Sequence, residues 1–277
     1  MHLAVVTNQR SGRGTERDRI LRLLSHRGVE ISPFDVADLP VDLPDVDRLV
    51  IAGGDGSLGN AARTANANGV PLAVLPTGTA NDFANAAGIP KDLEAACRLA
   101  ATGTRTLHHE VGLHGDLAFV NVAAAGLSAV ASRIAKPHKK RLGALAYPLA
   151  AVRAGITAPP IDCRVLVDGA EVFAGKAWQV VVAVTGAFGG GSAIGGTRRD
   201  DGLLDVAAVP AGSRVALAKY GYGMRRGHLT SLRDVHHHRG NRIAVETTSE
   251  FNVDGELREL DPVDFTLLSG GVDVVVR

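Results

Sequence analysis

One stretch joins a run of apolar residues directly to a loop of glycines, and it constrains the fold more than any other part of the chain. The apolar residues 49–52 predict a buried strand, and the glycine-rich segment 53–56 follows with Asp55 inside it. Glycines let the backbone turn tightly and leave its N–H groups uncovered. Such amides, with a helix expected to begin near Leu58, would bind phosphate; an ordinary strand-to-helix turn is the alternative.

A second loop of the same kind follows about twenty residues later. Residues 70–76 predict another buried strand; after it Gly78 gives backbone freedom, Thr79 offers a hydroxyl, and Asn81 or Asp82 is expected to cap the next helix. The carboxyl ends of parallel strands form one crevice, so the two loops are expected to converge on one ligand. Neither loop is a Walker A sequence, so this phosphate site would depend on amides and hydroxyls more than on a lysine.

Two domains are predicted. Alternating strands and helices with glycine-rich turns indicate a three-layer, Rossmann-like α/β nucleotide-binding domain with a parallel sheet over residues 1–105. Short β-rich segments between Gly or Asp turns indicate an antiparallel, β-sandwich-like substrate domain over 106–277, whose last strands could return to the first domain. Helices are expected there over 126–135 and 142–156, with Pro148 kinking or interrupting the second.

Composition narrows the classes of partner and compartment. The formal net charge of +1 gives no overall attraction to nucleic acid, so no nucleic-acid partner is expected. Cys97 and Cys163 lie far apart in the sequence, which predicts free thiols in a reducing cytoplasm. No basic segment precedes the first strand and no apolar run is long enough to span a bilayer, so neither a signal peptide nor a transmembrane segment is expected.

Five short motifs follow one another along nearly the whole chain. They are Asn-Gln-Arg-Ser-Gly at 8–12, Gly-Gly-Asp-Gly-Ser at 53–57, Gly-Thr-Ala-Asn-Asp-Phe at 78–83, Asp-Asp-Gly-Leu-Leu-Asp at 200–205 and Asn-Val-Asp-Gly-Glu at 252–256. In this order they resemble the motifs of the soluble bacterial diacylglycerol kinase and lipid kinase family, which is related in fold to NAD kinases and sphingosine kinases.

The resemblance implies an ATP-dependent kinase that uses Mg²⁺ and transfers the γ-phosphate to a lipid hydroxyl, of diacylglycerol or a related lipid. Two alternatives stay open: a kinase of another acceptor, such as a sphingoid base, another lipid or a small polar alcohol, and a nucleotide-binding regulator without turnover. A lipid acceptor would be met at the membrane surface, by a cytoplasmic enzyme or one peripheral at the inner face. A homodimer is compatible with the sequence.

The resemblance also assigns the residues that would bind the nucleotide. Three loops are implied, one after the first strand and the two glycine loops described above. The implied residues are Asn8, Gln9, Arg10, Ser11, Gly12, Gly54, Asp55, Gly56, Ser57, Leu58, Gly59, Asn60, Gly78, Thr79 and Asn81.

Phosphoryl transfer needs carboxylates for the metal and for the acceptor hydroxyl. Asp55 would repel a triphosphate unless Mg²⁺ or its water mediated between them, and it is a candidate catalytic residue. The resemblance makes Glu256 the predicted base that accepts the proton of the hydroxyl, and Asp254 a metal-linked or alternative base. By themselves, residues 253–256 predict only a hairpin turn.

A second cation position is implied at Asp201, where the backbone carbonyls of Arg198 and Leu203 would also contribute. An Asp-Asp-Gly sequence without that context is typical of a plain turn.

This chain departs from the family pattern at several positions. Gln9 replaces a proline and Ser57 a threonine, which keeps the hydroxyl; Asn60 stands where the family usually has glutamate, and Glu110 where it commonly has aspartate. These changes keep the regulator alternative open, whereas retention of every candidate carboxylate weighs against it.

A basic cluster precedes the apolar stretch 142–156. It consists of Lys136, His138, Lys139, Lys140 and Arg141. This order could dock the protein on anionic lipid headgroups, or it could be a solvated loop before a core helix.

Overall fold

Contacts along the chain divide it into two units, Met1–Val111 with Leu268–Arg277, and Gly112–Leu267. The structure is a computed structural model that describes residues 1–8, 14–25, 28–188, 192–196, 201–260 and 263–277. Cys97 and Cys163 are both buried free thiols, and burial, then the charge of Asp162, raises the pKa of Cys163 to about 11. Among the described residues, no helix has the length and apolar character needed to cross a membrane.

The first part of the chain alternates strands with helices, as its sequence predicts. In order the elements are β1 (His2–Thr7), α1 (Gly14–Ser25), β2 (Glu30–Asp35), β3 (Arg48–Gly53), α2 (Asp55–Ala67), β4 (Leu72–Pro76), α3 (Asp82–Ala86), α4 (Leu93–Thr102) and β5 (Arg105–His109).

Strands β1, β3 and β4 are parallel neighbours, and β2 lies beside β1. Their apolar runs form a core with apolar residues of α1 and α4, among them Leu24 and Cys97. Because these strands are parallel, their last residues Thr7, Gly53 and Pro76 lie at one edge of the sheet. The loops that follow therefore start from the same edge.

The second part is built mainly from strands. In order the elements are β6 (Gly112–His114), β7 (Leu117–Phe119), β8 (Val122–Gly126), α5 (Leu127–Ala135), α6 (Lys139–Leu142), α7 (Ala146–Thr157), β9 (Ile161–Val167), β10 (Ala170–Ala183), β11 (Ala187–Phe188), β12 (Ser192–Ala193), β13 (Leu204–Pro210), α8 (Ala216–Arg225), β14 (His236–Gly240), β15 (Ile243–Thr247), β16 (Phe251–Val253), β17 (Glu256–Arg258) and β18 (Asp264–Leu267).

The long strand β10 organises the second unit because it pairs antiparallel with β8, β9 and β13. The described strands of the large sheet follow the order β17-β16-β8-β10-β9-β15-β18-β6-β7, with β13 paired to β10 and β14 paired to β13. Alternate residues of these strands bury a core that includes Val165, Val182, Phe251 and Phe265. The predicted antiparallel, sandwich-like domain is confirmed.

The last strand, β19 (Val272–Val276), belongs to the sheet of the first unit. It runs parallel to β4 and antiparallel to β5, which completes the order β2-β1-β3-β4-β19-β5. Because β5 pairs with β19, the first segment of this unit ends at Val111, beyond the predicted boundary at residue 105. The unit also includes residues 268–277.

Two helices begin at other positions than the sequence predicted. α2 begins at Asp55, directly after the N-cap Gly54, and not near Leu58. α7 begins at Ala146, after a 3₁₀ turn at Gly143–Leu145, so Pro148 falls in its first turn. The N–H that proline lacks has no partner within a helix at that position, and the helix continues unbroken to Thr157.

A buried arginine joins β3 to the end of α4. Arg48 is 7% exposed, and its guanidinium donates to the carbonyl oxygens of Ala100 and of Gly103, the latter at 2.8 Å. These carbonyls lie at the helix C-terminus, where no further N–H of the helix can reach them. Burial lowers the pKa of Arg48 below its ordinary value, against the charge of Asp47, which raises it.

We expect Arg48→Leu to lower the free energy of unfolding by about 2 kcal/mol, because two helix-end carbonyls lose a charged donor inside the protein. Urea denaturation measures this loss. Arg98→Leu, at an exposed position on α4, is the matched control and should change stability little. Equal effects of the two substitutions would contradict the role given to Arg48.

Candidate functional site

The two glycine loops meet at the edge of the parallel sheet. A Cβ atom placed on Gly78 would lie 2.5 Å from the Cα of Gly54, closer than such atoms approach in proteins. The N–H of Thr77 donates to the carbonyl oxygen of Gly53 at 3.1 Å, which continues the strand pairing into the loops. The predicted convergence of the loops is therefore seen in the backbone itself, and it requires glycine at 78.

Asp55 links the two loops through its carboxylate. One oxygen accepts the N–H of Asp82 at 3.0 Å and the other accepts the N–H of Phe83 at 2.9 Å. Asp55 is the first residue of α2, and its two donors are the first residues of α3. A carboxylate at this position satisfies N–H groups that a helix start leaves without partners.

Asn81 closes the second loop on itself. Its φ angle is 52°, in the left-handed region, and its side chain accepts the N–H of Gly78 at 3.0 Å and donates to the Gly78 carbonyl at 2.8 Å. Asn81 is the N-cap residue of α3, one of the two positions expected, but its side chain makes no capping bond there, because Asp55 supplies the acceptor from the other loop.

The other predicted nucleotide-binding residues differ in what they expose. Asn8, Gly56 and Thr79 are exposed at the sheet edge, and Ser57 donates to the Gly54 carbonyl at 2.8 Å. Leu58 is only 2% exposed, so its side chain belongs to the core. Gly59 is buried and Asn60 half-buried on α2, while Gln9, Arg10, Ser11 and Gly12 lie outside the described residues.

In the second unit, Asp254 binds three backbone amides. Its carboxylate accepts the N–H groups of Val120 at 2.7 Å and of Asn121 and Val122 at 3.0 Å each. Its own N–H donates to the carbonyl of Val122 at 3.0 Å. Asp254 therefore fastens the hairpin turn between β16 and β17 to the residues that lead into β8, which is a structural task.

Glu256 has a different environment two residues later. It is the first residue of β17, and its side chain is 52% exposed. Its carboxylate accepts a 2.5 Å bond from the guanidinium of Arg258. A carboxylate placed in this way can change its partner, whereas that of Asp254 is held by the backbone.

The same turn occurs elsewhere in the second unit without being part of any predicted site. Asp168 and Gly169 join β9 to β10, both with positive φ, as Asp254 and Gly255 do between β16 and β17. The Asp168 carboxylate accepts the N–H of Asn241 at 3.0 Å and of Arg242 at 2.9 Å. Val-Asp-Gly is thus a recurring hairpin device in this fold, and it explains the structure at Asp254 without any catalytic role.

Asp201 lies in a group of charged side chains. Its two oxygens accept bonds of 2.8 and 2.7 Å from one nitrogen of Arg239, whose Nε also donates to the buried Asp205 at 3.1 Å. His237 contacts the same oxygen of Asp205 at 2.6 Å. Burial lowers the pKa of Arg239, but the bond to Asp201 and the charges of Asp205 and Asp201 more than offset it, so this pKa lies above its ordinary value.

The predicted cation position at Asp201 does not fit a metal in the residues that the structure describes. The carboxylate is held by Arg239, Arg198 lies outside the described ranges, and only the carbonyl of Leu203 is left of the predicted set. No group of three or more His, Cys, Asp or Glu side chains in the described part of the chain could hold a metal ion. The metal role of Asp201 stays a prediction.

Sequence reasoning missed Asn121, which bonds to Asp254, and Thr185, which bonds to Asn121. Asn121 is 3% exposed and its side-chain oxygen accepts the hydroxyl of Thr185 at 2.9 Å, while its N–H donates to Asp254. A lone polar residue inside the apolar run 117–125 was the available signal, because a buried amide needs partners. Among the departures from the family pattern, Glu110 is half-buried just after β5.

Comparison with protein families agrees with this geometry. Residues 2–111 match the model of the diacylglycerol kinase catalytic domain, and residues 121–276 match that of the YegS C-terminal NAD kinase beta sandwich-like domain. The first match covers the part of the α/β unit that ends at Val111, and the second covers most of the strand-rich unit together with β19, which pairs into the first sheet.

Individual proteins show the same relationship. A diacylglycerol kinase of Staphylococcus aureus (strain Newman) is 30% identical, over 82% of this chain and 74% of its own length. One of Bacillus subtilis (strain 168) is 26% identical, over 84% and 79%. A probable lipid kinase YegS-like protein of Pseudomonas putida is 36% identical, over 61% and 57%.

Solved structures show the fold. A diacylglycerol kinase from Bacillus anthracis str. Sterne has a TM-score of 0.74 at 22% identity, covering 100% of this chain and 96% of that one. An NAD kinase from Archaeoglobus fulgidus in complex with ATP has a TM-score of 0.51 at 15% identity, covering 99% and 93%. The fold is the NAD kinase-like fold. With the family matches, these findings show that the chain belongs to the diacylglycerol kinase family and is a phosphotransferase that acts on an alcohol group.

Proposed function

We propose that this lipid kinase transfers the γ-phosphate of ATP to a hydroxyl of diacylglycerol or a closely related lipid. The observation that carries the proposal is the contact between Gly54 and Gly78, which brings two glycine loops together at the carboxyl edge of a parallel sheet. Backbone amides at such an edge are suited to phosphate oxygens.

The donor site consists, in this proposal, of the loops after β1, β3 and β4. Asp55 holds the loops after β3 and β4 in register, and Gly56, Ser57, Thr79 and Asn8 border the proposed site. The proposal of ATP is supported by the solved NAD kinase of this fold, which is described as a complex with ATP. The printed names of the Staphylococcus and Bacillus relatives support diacylglycerol as the acceptor.

Glu256 is the residue that we assign as the base toward the acceptor hydroxyl. The Asp254 carboxylate already accepts three backbone N–H groups, whereas Glu256 is half exposed and is paired with the Arg258 side chain, which can rotate away. A general base must come within hydrogen-bond reach of the proton that it accepts, so a mobile carboxylate suits the task better. Asp254 then acts as a positioning residue that fixes the turn.

Magnesium would enter with the nucleotide. Bound between phosphate oxygens, it would neutralise charge that develops during transfer. Asp55, which orients the two loops through the N–H groups of Asp82 and Phe83, is the carboxylate that would bind a water of such an ion in this proposal. The second cation position remains the weaker part of the expectation, because Arg239 already neutralises Asp201.

Transfer of labelled phosphate from ATP to a panel of acceptors tests the activity. We expect phosphorylation of diacylglycerol in mixed micelles, and much less of sphingosine, monoacylglycerol, glycerol and NAD. A preference for one of the other acceptors would replace the assigned substrate. Absence of transfer to every acceptor, by protein that binds ATP, would overturn the proposed activity.

We expect Gly78→Ala to weaken ATP binding by about tenfold or more, which corresponds to about 1.4 kcal/mol, since its Cβ must push the two loops apart. Gly54→Val should act in the same direction, because its Cβ would lie 3.1 Å from the Cα of Gly78. Calorimetric titration with ATP and magnesium measures both.

Gly212→Ala is the control for these variants, since a Cβ there meets nothing within 4 Å and the backbone does not require glycine. Its affinity for ATP should equal that of the unmodified protein. If the folded Gly78→Ala protein also kept full affinity, the loops would be removed from the donor site.

We expect Glu256→Gln to lower turnover by roughly 100-fold or more with little change in ATP affinity or stability, because it removes only a proton acceptor. Asp254→Asn should also lower turnover, but it should lower stability as well, by about 1–3 kcal/mol, since its NH2 group replaces one acceptor oxygen and then faces a backbone N–H donor. Initial rates at saturating ATP, together with urea denaturation, measure the two effects.

Asp168→Asn is the matched control, because it disturbs a turn of the same kind, between β9 and β10, for which no catalytic role is proposed. It should lower stability by a similar amount and leave turnover of the folded protein unchanged. Near-normal turnover of Glu256→Gln on the identified acceptor would show that the base is another group.

A further inference from the structure

Helix α7 turns its small side chains inward and its large apolar ones outward. Ala146, Ala150 and Ala154 are buried and form a small core with Ala131 and Ala135 of α5. Their spacing of four residues places them on one face of the helix. Alanines at this face let α5 and α7 approach closely, and Tyr147 is the large side chain of α7 that packs beside them.

The opposite face carries a row of exposed apolar residues. Leu145, Leu149, Val152 and Ile156 are 65%, 57%, 66% and 68% exposed, and Leu142 in α6 is 42% exposed. The spacing of three and four residues keeps Leu149, Val152 and Ile156 on one side of α7, and Leu145 in the 3₁₀ turn and Leu142 in α6 precede them. We call these five residues the outer row. Apolar side chains gathered in this way mark an interaction surface, unlike apolar residues scattered singly.

The outer row continues beyond α7 at its C-terminal end. Arg214 donates to the carbonyl oxygens of Gly155 at 2.7 Å and of Ala158 at 2.8 Å, which ties the segment before α8 to the end of α7. The next residue, Val215, is 82% exposed. The Arg214 guanidinium, together with apolar contacts of Tyr147 and Leu217, thus brings two segments that are distant in sequence next to each other.

The two segments that carry this surface contain basic residues and no acidic ones. No aspartate or glutamate occurs between Asp116 and Asp162, nor between Asp205 and Asp234, although both stretches contain several lysines and arginines. Lys136, Arg141 and Arg153 are exposed, and none of them forms an ion pair with a carboxylate in the described part of the chain. The surface is therefore both apolar and positively charged.

The apolar and basic residues of this surface favour one kind of binding partner over another. A second copy of the chain would bring like charges together, and the outer row is a convex helix face that offers no groove for a partner helix. An anionic bilayer fits both features, since its headgroups attract lysine and arginine while its acyl region accepts apolar side chains. Helices that bind in this way lie in the plane of the interface and do not cross it.

We propose that the α6–α7 face docks on anionic lipid bilayers, with the outer row inserted at the boundary between headgroups and acyl chains. Lys136, Arg141 and Arg153 lie at the headgroup level and keep their charges in water while their stems cover apolar surface. The proposal rests on the proposed function only in that the acceptor lies in a bilayer. The surface itself is defined by exposure and charge.

Binding to vesicles without ATP or diacylglycerol tests the docking. The unmodified protein should bind vesicles of equal phosphatidylglycerol and phosphatidylcholine at low salt, and bind phosphatidylcholine vesicles weakly. The double substitution Leu149→Ser with Val152→Ser should lower the partition coefficient by about tenfold or more at both low and high salt. Leu107→Ser, at an apolar residue of β5 that is 37% exposed, is the matched control and should bind normally.

Charge and insertion are separated by a second variant. Joint replacement of Lys136, Lys139, Lys140 and Arg141 by serine should weaken binding strongly at low salt and little at high salt, because salt screens the attraction to headgroups. A polarity-sensitive thiol dye gives an independent readout of insertion. Since both native cysteines are buried, it can be attached through Val152→Cys, where its emission should shift to the blue on anionic vesicles, and through Leu107→Cys, where it should not.

Three results would overturn the proposal: no binding of the unmodified protein to anionic vesicles at low salt, unchanged binding of the Leu149→Ser, Val152→Ser protein, or an unshifted dye at Val152→Cys. Sedimentation equilibrium identifies the competing occupant, because a dimer that the double substitution dissociates would make this face a contact between copies. Transfer to a dispersed short-chain diacylglycerol is measured in parallel. If the protein binds vesicles but does not phosphorylate this substrate, only the proposed activity is contradicted. If it phosphorylates this substrate but does not bind vesicles, only the docking is contradicted.

Discussion

The geometry of the first unit depends on one carboxylate. Asp55 accepts two N–H groups from the loop after β4 while its own backbone starts α2 after β3. The contact between Gly54 and Gly78 sets how near the loops come, and Asp55 sets how they are oriented. Without that charge, the two amides at the start of α3 would lose their acceptor in a half-buried position, which costs more than the bonds contribute.

Much of this architecture could be predicted from local patterns. Buried strands that end in glycine loops indicated a parallel sheet and the edge at which its loops meet, and β1, β3 and β4 have this arrangement. Beyond residue 105, short β-rich segments separated by Gly or Asp turns indicated the antiparallel unit. The pattern of apolar residues within a segment indicates which of its residues are buried. Burial could therefore be predicted where it depends on the segment's own sequence.

The partners of individual polar groups could not be predicted, because they lie far away in sequence. The acceptor that caps α3 comes from Asp55, and the amides that hold Asp254 come from residues 120–122. A capping rule that considers neighbours within four residues chose Asn81 instead. In the same way, the sequence predicted a helix over the apolar stretch 142–156, and only its packing against α5 decided that alanines face inward and Leu149 outward.

The return of β19 to the first sheet affects the order in which the protein can fold during synthesis. β19 lies between β4 and β5, so β5 has no strand beside it until residues 272–276 have left the ribosome. By then the whole of the strand-rich unit has emerged. The sheet of the α/β unit therefore has an open edge at β4 while the strand-rich unit is being synthesised. This sheet is completed only late in translation.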